Sequence, residues 1–145
     1  LKHLPDGQAN AAGSIMMDVS CDGKFTDQVN ILHGHHMRNK SMFGGLDSYK
    51  SEEYYRAHPV LQLYTPGGDH EVVIFAAFTV SGSSFGYPTG FAAEGEFEDF
   101  VRACRDQSAF RTEVEVQWGD RLLVLSTCAY NFTGARFIVV GKIME

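Results

Sequence analysis

"RLLVLSTCAYNFTGARFIVVGKIM", residues 121–144, decides the fold. It holds two short runs rich in Val, Ile and Leu, "RLLVLSTC" (121–128) and "ARFIVVGKIM" (135–144), on either side of a polar turn. Runs of this length and composition read as strands, and the turn joins them as a hairpin. Alternation along the first puts Leu122, Val124, Ser126 and Cys128 on one face. Cys128 ends that strand and Arg136 opens the next, so the two face each other across the mouth of the hairpin. Directly opposed residues in an antiparallel pair have Cβ atoms about 4.5–5.5 Å apart. A guanidinium at that range favours a thiolate, and it can also hold a carbonyl under attack. The hairpin alone equally admits a plain reading, a buried cysteine closing one strand and a solvated arginine opening another.

Working outward, "GSIMMDV" (13–19), "QVNILHGHH" (28–36), "VLQLYT" (60–65), "EVVIFAAFTV" (71–80) and "TEVEVQW" (112–118) also read as strands. "PGGDH" (66–70) and "WGD" (118–120) read as turns. "SEEYYRAH" (51–58) reads as a helix with Ser51 as N-cap, acids in its first turn and a stop before Pro59. "GEFEDFVRACRDQS" (95–108) places Phe97, Phe100, Val101 and Cys104 on one helical face, which makes Cys104 a core residue. Seven strands against two short helices predict a mainly antiparallel β domain, a barrel, with residues 1–145 as one unit. The long Gly/Ser-rich connection 81–95 is of the kind that lines a site.

Composition narrows the function classes. The net charge of −6 and scattered basic residues argue against nucleic acid, which needs a concentrated basic surface. No apolar run reaches the roughly 18 residues of a membrane span. The opening "LKHLPDGQAN" shows no signal peptide and reads like sequence from within a protein, so an upstream segment is expected. Cys21, Cys104 and Cys128 make an odd count without CxxC spacing, which fits neither a disulfide framework nor a zinc ribbon. At least one thiol is free, and Cys128 is the candidate. "NFT" (131–133) matches a glycosylation sequon and is read as loop.

A cysteine nucleophile in acyl transfer needs a proton donor for the leaving group. "ILHGHHMRN" (31–39) supplies His33, His35 and His36, the first two on one strand face. Imidazoles at i and i+2 can also share a metal ion. No carboxylate pattern of a hydrolase metal site accompanies them, and no metal or cofactor is expected.

Together these motifs resemble the class B sortases, cysteine transpeptidases of Gram-positive bacteria. "LSTC" at a strand end, followed eight residues later by Arg136 in "ARFIVVGKI", resembles their catalytic hairpin. "GHHMRNKSMFGGLDSYKSEEYYRAHP" (34–59) resembles their Gly-His pair, Met-Phe and short helix ending in His-Pro. "AGSIMMD" (12–18) resembles the strand upstream of that histidine. "EFEDFVRACRDQS" (96–108) resembles the helix inserted between their sixth and seventh barrel strands. The resemblance covers nearly the whole chain in the right order. His33 stands where members often have an aromatic residue, and His36 where they often have Asn.

The resemblance implies a sortase-type antiparallel β-barrel with short helices, and a catalytic set of His35, Cys128 and Arg136. It implies peptide contacts at Ser83, Tyr87, Pro88, Ser126 and Thr127. It implies cleavage of an Asn-Pro-x-Thr-Asn-like C-terminal sorting motif and transfer of the Thr carbonyl through a thioacyl enzyme. The partners implied are the sorting-signal peptide of a secreted surface protein and an amino acceptor, either a cell-wall peptide or a pilin lysine. The location implied is the outer face of the cell membrane, anchored by an N-terminal segment. Such a segment, with N-terminal helices and two strands, would precede Leu1. A non-catalytic β-barrel binding module and an unrelated cysteine hydrolase are the rival expectations.

Overall fold

The computed structural model describes residues 16–17, 28–34, 48–65, 68–81, 85, 88–128 and 135–144. Among the described residues six strands and two helices follow in the order β1 (Met16–Met17), β2 (Val29–Gly34), α1 (Glu52–Ala57), β3 (Val60–Thr65), β4 (Gly68–Ser81), α2 (Glu94–Gln107), β5 (Arg121–Cys128) and β6 (Ala135–Ile143). The strands form one sheet in the order β1-β2-β5-β6-β4-β3. All neighbours run antiparallel except β2 and β5, which are parallel. Among the described residues the sheet is open, with β1 and β3 at its ends. Leu32, near one end, and Leu61 and Leu63, at the other, nevertheless join a single apolar cluster, as they do in a sheet curling toward a barrel.

Both faces of the sheet are covered, which explains why its central strands are unbroken apolar runs. Leu123, Leu125, Phe137 and Val139 pack on one side with Tyr49 and Phe110. Leu122, Val124, Ile138 and Val140 pack on the other with Phe97, Val101 and Cys104 of α2. Helix α2 lies one residue earlier than its periodicity predicts and buries Phe97, Val101 and Cys104 of the predicted stripe, with Phe100 half-buried. Ser51 caps α1 by accepting from the Tyr54 amide at 3.3 Å, and the helix stops before Pro59 as read from the sequence. Gly141 of β6 pairs with Ile74 of β4, beside the register shift between Ile74 and Ala76. A Cβ there would come within 2.5 Å of Val72 Cγ1.

One predicted strand is overturned. Residues 111–117 pair with no strand among the described residues. The alternation in the sequence is real, since Thr112, Val114 and Val116 are half-buried while Arg111, Glu113, Glu115 and Gln117 are exposed. The backbone is held by side chains instead of a ladder. Arg105 donates to the carbonyls of Thr112 and Val114, and Lys142 Nζ donates to that of Glu115 at 2.7 Å. A period of two reports which residues face the core, and a strand-like stretch lying over a sheet face satisfies it as well as a paired strand does. The turn at 118–120 is present, with Gly119 at φ 103, a conformation that favours glycine. The first predicted strand is represented by Met16–Met17 alone among the described residues. The second is described as Val29–Gly34, so His35 and His36 lie outside the described residues.

Candidate active site

The end of the β5–β6 ladder is where the sequence places its chemistry. Cys128 and Arg136 are in direct register as the last pair of that ladder. On the other side of Arg136 stands Val80 of β4, so Cys128, Arg136 and Val80 form one row across three strands. The expected juxtaposition of Cys128 and Arg136 is therefore present in the backbone.

Arg136 is half-buried, and its Nη1 donates to the Ala135 carbonyl at 3.1 Å. Among the described residues no carboxylate pairs with it. A guanidinium has five donors in a planar fork. Among the described residues the bond to Ala135 is the one that the Arg136 side chain makes, which leaves the rest of the fork for an oxygen brought to the row.

The third element is β2, and its placement was not legible in the sequence. Parallel pairing sets His33 beside Ser126 and Gly34 beside Thr127. Gly34, the last described residue of β2, thus stands beside the residue that precedes Cys128. His33 itself is half-buried. Two other histidines are engaged elsewhere: His58 stacks on Tyr54 with ring centroids 4.2 Å apart, and His70 Nδ1–H donates to the Met144 carbonyl at 3.1 Å.

Of the residues carried over as peptide contacts, Ser83 and Tyr87 lie outside the described residues. Pro88 is half-buried, whereas Ser126 and Thr127 are 1% and 2% exposed. Thr127 Oγ1 is buried with no hydrogen-bond partner among the described residues. Cys104, expected in the core, is buried in α2 with its thiol free. Burial pushes that thiol up to about 12, against the lowering pull of Arg105. Among the described residues no three His, Cys, Asp or Glu side chains are grouped to hold a metal ion, and no helix is long and apolar enough to cross a membrane.

No protein-family model matches the chain. It is 30% identical over 146 residues to sortase B of Listeria monocytogenes, a match that takes in 99% of this chain and 59% of that protein. The chain therefore spans little more than half the length of this relative. The structure superposes on a Staphylococcus aureus sortase B–substrate complex with a TM-score of 0.91 at 28% identity, covering 100% of this chain and 68% of the other. A sortase B complexed with triglycine gives a TM-score of 0.92, also at 28% identity, over 100% of this chain and 69% of that one.

Proposed function

The chain belongs to the class B sortases, and on that premise we propose that it acts as a cysteine transpeptidase. The register of Cys128 with Arg136 at the open end of the β5–β6 ladder is the observation that carries this reading. Cys128 is the nucleophile, Arg136 the oxyanion and peptide ligand, and His35 the proton carrier.

In this reading the Cys128 thiolate attacks the backbone carbonyl of a Thr in a C-terminal sorting motif of the Asn-Pro-x-Thr-Asn kind. The carbonyl electrons move onto oxygen, where the Arg136 fork stabilises the charge. Collapse expels the following residue's amine, which takes a proton from His35. The acyl group is left on sulfur as a thioester. An incoming amine loses its proton to His35 and displaces the thiolate, forming a new amide. No metal or cofactor enters this scheme.

A relative solved with its substrate and another solved with triglycine support a peptide donor and an amine acceptor for this chain. The natural acceptor is a cell-wall peptide or a pilin lysine, and the reaction takes place outside a Gram-positive cell. Pro88 offers surface to the peptide, together with Ser83 and Tyr87. Ser126, buried on the strand face that carries Cys128, lies next to the site, whereas the buried Thr127 side chain turns to the opposite face.

Incubating the protein with a panel of sorting peptides and triglycine, followed by mass spectrometry, tests the proposal. Cleavage after Thr, a triglycine-joined product and a protein mass increased by the acyl fragment are expected. A chain that binds the peptides but yields neither product nor adduct is a binding module.

A further inference from the structure

The chain leaving β4 returns to the sheet at a place that no motif announces. The Leu122 amide donates to the Gln28 carbonyl at 2.8 Å, so residue 28 faces β5. Alternation then turns the Val29 amide to the outer edge of β2, away from β5. There it donates to the Thr89 carbonyl at 3.2 Å. The Gln28 side chain makes a second attachment, its Oε1 accepting from the Phe91 amide at 2.5 Å. Gly90 lies between these two bonds, and a Cβ on it would come within 3.1 Å of that same oxygen. Phe91 in turn packs edge-on against Phe97 at 5.6 Å and beside Phe100 at 5.4 Å, both on α2. One residue thus joins β5, the edge of β2 and the segment that enters α2.

The position of this clamp gives it a bearing on the site. Val29 pairs with Leu122 and Gly34 with Thr127, so the clamp lies at the opposite end of β2 from the Cys128 row. Five residue steps of strand separate those two pairs, a distance of about 17 Å. That is the length of an extended peptide of about five residues. Pro88, proposed as surface for the peptide, lies in the segment that the clamp fixes, remote from the Cys128 row.

We infer that Gln28 is a positioning residue for substrate selection. Its bond to the Phe91 amide fixes residues 88–91 against β2 and sets the surface that receives the part of the peptide remote from the scissile bond. This rests on the transpeptidase reading. Gln28 is far from the reacting atoms, so it acts on KM and leaves the chemical step alone.

The test compares Gln28→Leu, which removes the acceptor, with Gln28→Glu, which keeps an oxygen in its place. Each is measured for kcat and KM on one cleaved peptide, for the thermal midpoint, and for hydrogen exchange at the Phe91 amide. Gln28→Leu raises KM and speeds that exchange by about three- to tenfold each, the scale of one neutral hydrogen bond, with kcat within about twofold. Gln28→Glu stays near the parent in both. Should Gln28→Leu not fold, Gln28→Ala takes its place. Parent-like exchange in the acceptor-less variant overturns the inference. So does a fall in kcat at constant KM, or a Gln28→Glu protein as impaired as Gln28→Leu. A parent that turns over no peptide overturns the transpeptidase reading instead, and the exchange measurement then decides the clamp by itself.

Discussion

Cys104 and Cys128 each have an arginine at hand, and the two arginines are engaged differently. Cys104 is 2% exposed on the inner face of α2, and the nearby Arg105 guanidinium is committed to the Thr112 and Val114 carbonyls and lies over the Phe75 ring at 5.1 Å. Desolvation outweighs the cation there, and the thiol stays protonated up to about 12. Cys128 stands at the end of a ladder, in register with an arginine that is half-buried and pairs with no described carboxylate. The lesson is that a cation near a sulfur does not make a nucleophile. The sulfur must also be where its charged form is solvated, and the cation must have donors to spare.

The largest expected effect is on Cys128. Replacing it with alanine abolishes cleavage and transfer, measured as product formation per folded molecule, while Cys104→Ala keeps the parent rate. A Cys128→Ala protein that still cleaves would dissolve the contrast.

Next is Arg136, where the question is whether charge or fork matters. Lysine keeps the charge and loses the planar donors. Arg136→Lys is expected to be nearly as poor as Arg136→Ala, each losing about 2.7–4 kcal/mol of transition-state stabilisation in kcat/KM, by analogy with a lost oxyanion donor. A lysine variant within about threefold of the parent would reduce Arg136 to an electrostatic partner.

The third test uses pH. Cys104 is raised from 9.0 to about 12 and Tyr49 from 10.0 to about 12, both chiefly by burial. For both groups the folded state holds its proton more tightly than the unfolded chain. Their contribution to stability is therefore complete below pH 9 and lost as pH rises from there to 12. Urea midpoints from pH 8 to 11 should fall, and Cys104→Ala should flatten the fall. In the same range an alkylating probe, located by peptide mapping, is expected on Cys128 in folded protein and on Cys104 only after unfolding.

The smallest effect is the packing of Cys104 itself. Its truncation to alanine costs about 1 kcal/mol of stability, the scale of one small buried group. A loss several times larger would mean that the Arg105 and Thr112 attachments come apart with it.

Much of this was legible residue by residue. The β5 and β6 segments, the capped helix before Pro59 and the buried stripe of α2 follow from periodicities and end signals, which act over a few neighbours. The Cys128–Arg136 pairing was legible too, because the two residues are close in sequence and the length of the connection sets the register of a hairpin. Segment 112–118 was misread for the same reason, since alternation names the buried residues and says nothing about what bonds the backbone.

What the sequence by itself determined, then, is the local elements and the one contact that a short turn can enforce. Only the tertiary structure decided that β2 runs parallel to β5, setting Gly34 beside Thr127, and that Gln28 fastens Phe91 across the sheet. Those choices join residues 93 and 63 positions apart along the chain. They follow from burying both faces of one curled sheet at once, a condition on the whole chain that no single stretch of it contains.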